Sequence, residues 1–153
     1  MLALVAALAL AAAPTPEEDV AAAIDALHAA ASRADGAAYF ALFTPDARFI
    51  GTDASERWSL AEFRAYAEPY FARGRGWTYT PVERTVTLAP VQCLCVAWFD
   101  EVLDSESYGV TRGSGVLRKT RDGWKIEQYV LSLAVPNDKA AAVVEVIRGG
   151  PAD

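Results

Sequence analysis

The sequence predicts an α+β domain in which N-terminal helices pack on one face of a curved antiparallel β-sheet. Helical periodicity fills the first half of the chain, four long strand-like stretches follow, and only a short helical segment comes after them. The second of those stretches is apolar at both parities, with Leu94, Val96 and Trp98 on one and Cys93, Cys95 and Phe99 on the other. A strand of that kind needs cover on both faces, and the helices can supply only one. The other cover is expected to be a second copy of the chain, which makes a homodimer through the sheet face. The 153 residues suit one domain. Chains of this size bury roughly 70% of their unfolded surface. With 53% apolar residues, four Trp and six Tyr, the core needs no disulfide or metal staple.

The elements follow from local signals. Thr15-Pro16-Glu17-Glu18 opens the first helix, with Thr15 as cap, Pro16 at the first helical position and Glu18 completing a capping box. Val20, Ile24, Leu27 and Ala31 form its buried stripe. Asp35-Gly36 ends that helix and starts a short second one, which turns Phe40 and Phe43 inward and stops at Thr44-Pro45. Residues 46–50 read as a short strand and 51–58 as a polar loop. Ser59-Leu60-Ala61-Glu62 is a second capping box, opening a third helix. Its apolar face carries Leu60, Phe63, Tyr66 or Ala67, and Tyr70, and Pro69 with Arg73-Gly74-Arg75-Gly76 ends it. Long strands are expected over 77–88, 91–103, 108–119 and 124–135, with a break at Ala89-Pro90 and a hairpin turn at Asp122-Gly123. Asn137 caps a last helix over 138–147. The domain is expected to span 14–148, with 149–153 as a short tail.

Residues 1–13 carry no charged or polar side chain. The run is too short to anchor in a bilayer, which takes about 20 apolar residues. It matches the apolar region of a signal peptide, with A-x-A patterns at 9–11 and 11–13, although no Lys or Arg precedes it. The chain is therefore expected to be periplasmic or secreted, with no membrane attachment once the leader is removed. The net charge of −6 and the lack of a basic stripe exclude a nucleic-acid binder. Cys93 and Cys95 in one strand point to the same side, too far apart to bond without strain, and are expected to be small buried side chains. They have no Cys or His partners for zinc, and no metal site is expected.

Three stretches then carry a resemblance: Leu42-Phe43-Thr44-Pro45-Asp46-Ala47; Ile50-Gly51-Thr52-Asp53-Ala54-Ser55-Glu56-Arg57-Trp58; and Gly115-Val116-Leu117 through Trp124-Lys125-Ile126-Glu127-Gln128-Tyr129 to Pro136-Asn137-Asp138. Over roughly residues 20–139 the chain resembles the SnoaL-like branch of the NTF2-like superfamily. The resemblance implies a cone, with helices backing a curved sheet around a pocket, and commonly a homodimer. It implies little chemistry, because this fold hosts isomerases, cyclases, dehydratases and association modules. Ketosteroid-isomerase-like members place a general-base Asp at the position that falls at about Gly51 here, and Asp53 comes two residues late.

Even-length turns at Ser105-Glu106 and Asp122-Gly123 would set the parity of the last three strands. One face would then carry Trp98, Gly113, Gly115, Gln128, Val130 and Ser132, an apolar wall with space opposite Trp98. It reads either as a ligand pocket or as close packing of Trp98. The opposite face, with Phe99, Tyr129 and Leu131, would make the dimer contact. A pocket for a small apolar molecule is expected between Trp58, Tyr66, Trp98, Gln128 and Val130. Asp53 and Glu56, beside Trp58, are the candidate catalytic carboxylates; Asp53 can equally form an Asx-turn and Glu56 an ion pair. His28, the one histidine, flanks the stripe of the first helix and reads as structural. Gly113-Ser114-Gly115 opens no helix and is no dinucleotide site, and no nucleophile elbow is present. The function expected is a small-molecule-binding protein or a cofactor-free acid/base enzyme. The alternative is a non-catalytic dimeric association module.

Overall fold

The computed structural model describes residues 13–149. The expected leader and tail thus lie outside the described residues, except for Ala13 and Gly149. The elements run α1 (Pro16–Ser32), α2 (Gly36–Ala41), β1 (Phe43–Ile50), β2 (Arg57–Ser59), α3 (Leu60–Phe71), β3 (Thr80–Leu88), β4 (Val96–Ser105), β5 (Gly109–Thr120), β6 (Gly123–Leu133) and α4 (Ala140–Ile147). The strands form one curved, open sheet in the order β2-β1-β6-β5-β4-β3. Neighbours are antiparallel except β1 and β6, which run parallel with Phe49 opposite Tyr129. Among the described residues no helix is long and apolar enough to cross a membrane.

Both capping boxes form. Thr15 and Glu18 exchange bonds at the start of α1, and Ser59 and Glu62 do so at the start of α3. Pro69 does not end α3, which runs two residues past it. The helices lie on one face of the sheet. Val20, Ile24 and Leu27 of α1, Tyr39 and Phe40 of α2, and Phe63, Ala67 and Phe71 of α3 meet Ala97, Phe99, Leu103, Leu117, Ile126 and Tyr129 from the strands in one core.

Two local features reverse the expected parity. Ser105 pairs with Gly109, so the β4–β5 turn holds three residues, Glu106, Ser107 and Tyr108, and not two. An odd turn flips every side chain of the strand that follows it. Gly113 therefore faces Glu101 and Gly115 faces Phe99, on the helix side, while Trp98 pairs with Val116 on the outer face. A β-bulge then leaves Glu127 as an extra residue, since Leu117 pairs with Ile126 but Val116 with Gln128. Ile126 and Tyr129, three apart, consequently both point inward. Phe99, Tyr129 and Leu131, assigned to the dimer contact, are buried with Gly113 and Gly115 on the helix side, and Trp98, Gln128, Val130 and Ser132, assigned to the pocket, lie on the open face.

The cysteines also differ from expectation. They are bonded to each other, Cys93 to Cys95, with Cα atoms 5.0 Å apart. The strand argument failed because β4 begins only at Val96. Leu94, between them, takes a left-handed φ of 45°, which folds the loop so that both sulfurs meet. Finally, α4 starts at Ala140 without a side-chain cap and buries none of its residues.

Candidate functional site

Helix α1 and strand β4 bring two ionisable side chains together inside the core. His28 follows Leu27 on the inward stripe of α1 and is 9% exposed. Glu101 sits on the buried parity of β4 between Phe99 and Leu103 and is 1% exposed. His28 Nε2 lies 2.8 Å from Glu101 Oε1. Tyr129 of β6 donates its hydroxyl to the same oxygen at 3.2 Å. Arg84 of β3 donates Nε to Oε2 at 2.9 Å, with Nη2 a further 2.8 Å ion-pair contact. Its Nη1 reaches back to α1, to Asp25 Oδ1 at 2.7 Å and the Ala21 carbonyl at 3.2 Å. Gly113 makes the cluster feasible. A Cβ there would lie 2.7 Å from Glu101 Oε1 and 2.5 Å from the Tyr129 hydroxyl oxygen.

The electrostatics fix the protons. Burial alone raises the pKa of Glu101, but the hydrogen bonds and charges of His28 and Arg84 outweigh it, and the carboxyl lies below its ordinary range. An ionised carboxylate only accepts, so His28 Nε2 carries a proton and donates it. Burial, and then the charge of Glu101, hold the Tyr129 phenol well above its ordinary pKa, so it stays neutral.

An aromatic cleft leads from the surface toward this cluster. A cavity of about 150 Å³ is lined by Phe49, Gly51, Thr52, Glu56, Trp58, Phe63, Tyr66, Trp77, Tyr79, Tyr108 and Leu131. A recess of about 10 Å³ shares Phe49, Trp77, Tyr79 and Leu131 with it and adds Leu27, His28 and Tyr129. That is room for one water molecule. One wall is a ladder of stacked rings. Tyr129 stacks on Phe49 at 5.5 Å, Phe49 on Phe63 at 3.8 Å, Phe63 on Trp58 at 5.7 Å, and Trp58 on Tyr66 at 4.9 Å.

Of the residues singled out in the sequence, Trp58, Tyr66 and Glu56 meet at the mouth of this cleft. Glu56 Oε2 occupies the space a Cβ at Gly51 would need, so a carboxylate reaches the position where the resemblance implies an Asp. Asp53 turns away. Its carboxylate accepts from the Ser55 amide at 2.8 Å and from the Ser55 hydroxyl, an Asx-turn whose hydrogen bonds lower its pKa. Trp98, Gln128 and Val130 share a face, as read, but do not join Trp58 and Tyr66, because the helices pack on the other face, against Phe99 and Tyr129. His28, Glu101, Arg84 and Tyr129 were missed as a group. One signal for them was available: Ala97, Phe99, Glu101 and Leu103 share a parity, and a carboxylate in an apolar row needs buried partners. Among the described residues no group of three or more His, Cys, Asp or Glu could hold a metal ion.

A family model described as the SnoaL-like domain matches residues 20–136. No curated protein matches the chain. Solved structures with the same fold include a candidate dehydratase of the NTF2-like family from Streptomyces avermitilis, 17% identical, covering 78% of this chain and 96% of that one with a TM-score of 0.66. A domain of unknown function with a cystatin-like fold from Nostoc punctiforme is 17% identical and covers 92% and 90%, with a TM-score of 0.65. A candidate ketosteroid isomerase from Shewanella frigidimarina is 21% identical and covers 76% and 97%, with a TM-score of 0.59. At these identities the likeness extends to the fold alone. The family model spans most of the chain, and the protein belongs to the SnoaL-like domain family, with the fold seen in NTF2-like proteins.

Proposed function

We propose that this protein binds a small, largely apolar molecule in the aromatic cleft and moves a proton on it without a cofactor. The observation that carries the reading is the 2.8 Å contact of His28 with Glu101 at the inner end of that cleft. Glu101 orients the ring and fixes its tautomer, leaving Nδ1 as the basic nitrogen of the neutral imidazole. A proton can then move onto Nδ1 and off again, the role of a general base and acid. Arg84 keeps Glu101 ionised. Dehydration and isomerisation, the reactions attached to two of the structural neighbours, both proceed by proton transfer. The test starts from whatever small molecule co-purifies, identified by native mass spectrometry. His28→Asn should abolish its turnover while leaving its binding within about threefold, since the mouth is untouched. Undiminished turnover in that variant would remove His28 from the chemistry.

Export and self-association belong to the same proposal. The apolar run at 1–13 supports a leader, and the Cys93–Cys95 bond suits an oxidising compartment. The alternative reading, a non-catalytic dimeric module, has one observation in its favour. The outer face and α4 leave Trp98, Val110, Leu133, Val146 and Ile147 exposed, with nothing among the described residues to cover them.

A further inference from the structure

We infer that the mouth of the cleft is a site for an organic cation, a tertiary or quaternary ammonium carried on an apolar body. The inference rests on the cleft being a ligand site and names the chemistry of what enters it. The rings around the 150 Å³ cavity are of the electron-rich kind, with Trp58 and Tyr66 on the stacked wall and Trp77, Tyr79 and Tyr108 also lining it. The faces of such rings carry negative potential, and several of them around one space attract a cation, more strongly as water is excluded. The phenols take part as neutral groups. Burial pushes Tyr66 upward and Tyr79 to about 12, and Tyr66, Tyr79, Tyr108 and Glu56 lie near enough to influence one another.

Charge points the same way. Among the described residues lining the cavity, Glu56 is the one acidic side chain, and no Lys, Arg or His is there. It pairs with no cation among the described residues. A single backbone bond, from the Asp53 amide to Oε2 at 3.2 Å, holds its carboxylate over Gly51. An anionic ligand would meet this carboxylate with no compensating base, whereas an ammonium would neutralise it. The net charge of −6 adds a field of the same sign. The inner end differs. Glu101 is already matched by Arg84 and His28 and offers no second cation site.

The test compares phenyltrimethylammonium with tert-butylbenzene, its neutral isostere, and with benzoate, by titration of the intrinsic Trp fluorescence. The cation should bind about tenfold more tightly than the isostere, and benzoate should not bind measurably. Glu56→Gln keeps an acceptor for the Asp53 amide, and it should reduce that preference about fivefold while leaving the isostere unchanged. Tyr108 is half-exposed, so Tyr108→Leu should fold normally and weaken the cation selectively. Equal binding of cation and isostere would overturn the cation site and leave the cleft reading standing. Failure of both to bind would sink the cleft reading itself. Cation binding unaffected by both substitutions would place it elsewhere and overturn the inference.

Discussion

Replacing Glu101 with Gln keeps the size of the side chain and removes its charge. Arg84 would then lose a buried partner but keep Asp25 and the Ala21 carbonyl. Breaking a buried ion pair from one side costs about 3–5 kcal/mol, and these remaining contacts lower the expectation to about 2–4 kcal/mol. For a domain of this size that is roughly 6–12 °C in melting temperature at neutral pH. The effect should also depend on pH in a fixed direction. The pKa of Glu101 is lower in the folded protein than in the unfolded chain, where Glu titrates at about 4.3. Its contribution is therefore complete above that value and is lost as pH falls through the lower, folded one. The Gln variant has nothing to titrate there. Melts followed by far-UV circular dichroism should show a gap that is constant from about pH 7 to pH 6 and closes below about pH 4. A gap under about 2 °C, or one that stays the same into acid, would refute the account of this cluster.

Gly113→Ala places a methyl group against Glu101 and Tyr129 and should cost about 1–3 kcal/mol, readable in urea unfolding, and more for Val. A mild effect of Gly113→Val would restore the view that this glycine borders open space. Expressed from Met1 in a bacterial host, the chain should be recovered from the periplasm, begin near Ala12 or Pro14 and hold the Cys93–Cys95 bond. Intact Met1 on cytosolic protein would refute export. Reducing the bond should then lower stability by less than about 2 kcal/mol, because it closes a loop of only three residues. Light scattering should give twice the chain mass, and Trp98→Glu on the outer face should shift it toward the monomer without changing the fold. A monomer at micromolar wild-type concentration would end that argument.

What the sequence made legible was local. Thr15 with Glu18, Ser59 with Glu62, and the Asp122-Gly123 turn are signals complete within a few residues, and each appears as read. The sheet faces were not legible. They hinge on Tyr108 lying in the turn and on Glu127 lying in a bulge, and neither residue type announces such a role. The misplaced turn residue sent Gly113 and Gly115 to the wrong side, while Trp98, Gln128 and Val130 do share a face but lie opposite the one the helices cover. The disulfide was missed for a related reason. The strand was started too early, and Leu94 gives no hint of a left-handed backbone. Half of the cleft was found because Trp58 and Glu56 adjoin in sequence. Its inner end joins α1, β3, β4 and β6, elements that only the finished fold brings together.

The parallel ladder between β1 and β6 bears on how the molecule is made. β4, β5 and β6 are successive hairpins and can form from neighbouring residues. β1 pairs locally with β2, but its parallel ladder is built on β6, and about half of the polypeptide lies between them. Contacts of such long range form late and slow the overall rate. On a ribosome the helical half, with its stripe of Val20, Ile24 and Leu27, lacks Ile126 and Tyr129 of its core until β6 has emerged. A fragment ended ahead of Gly123 should retain helical tendency but no cooperative melt.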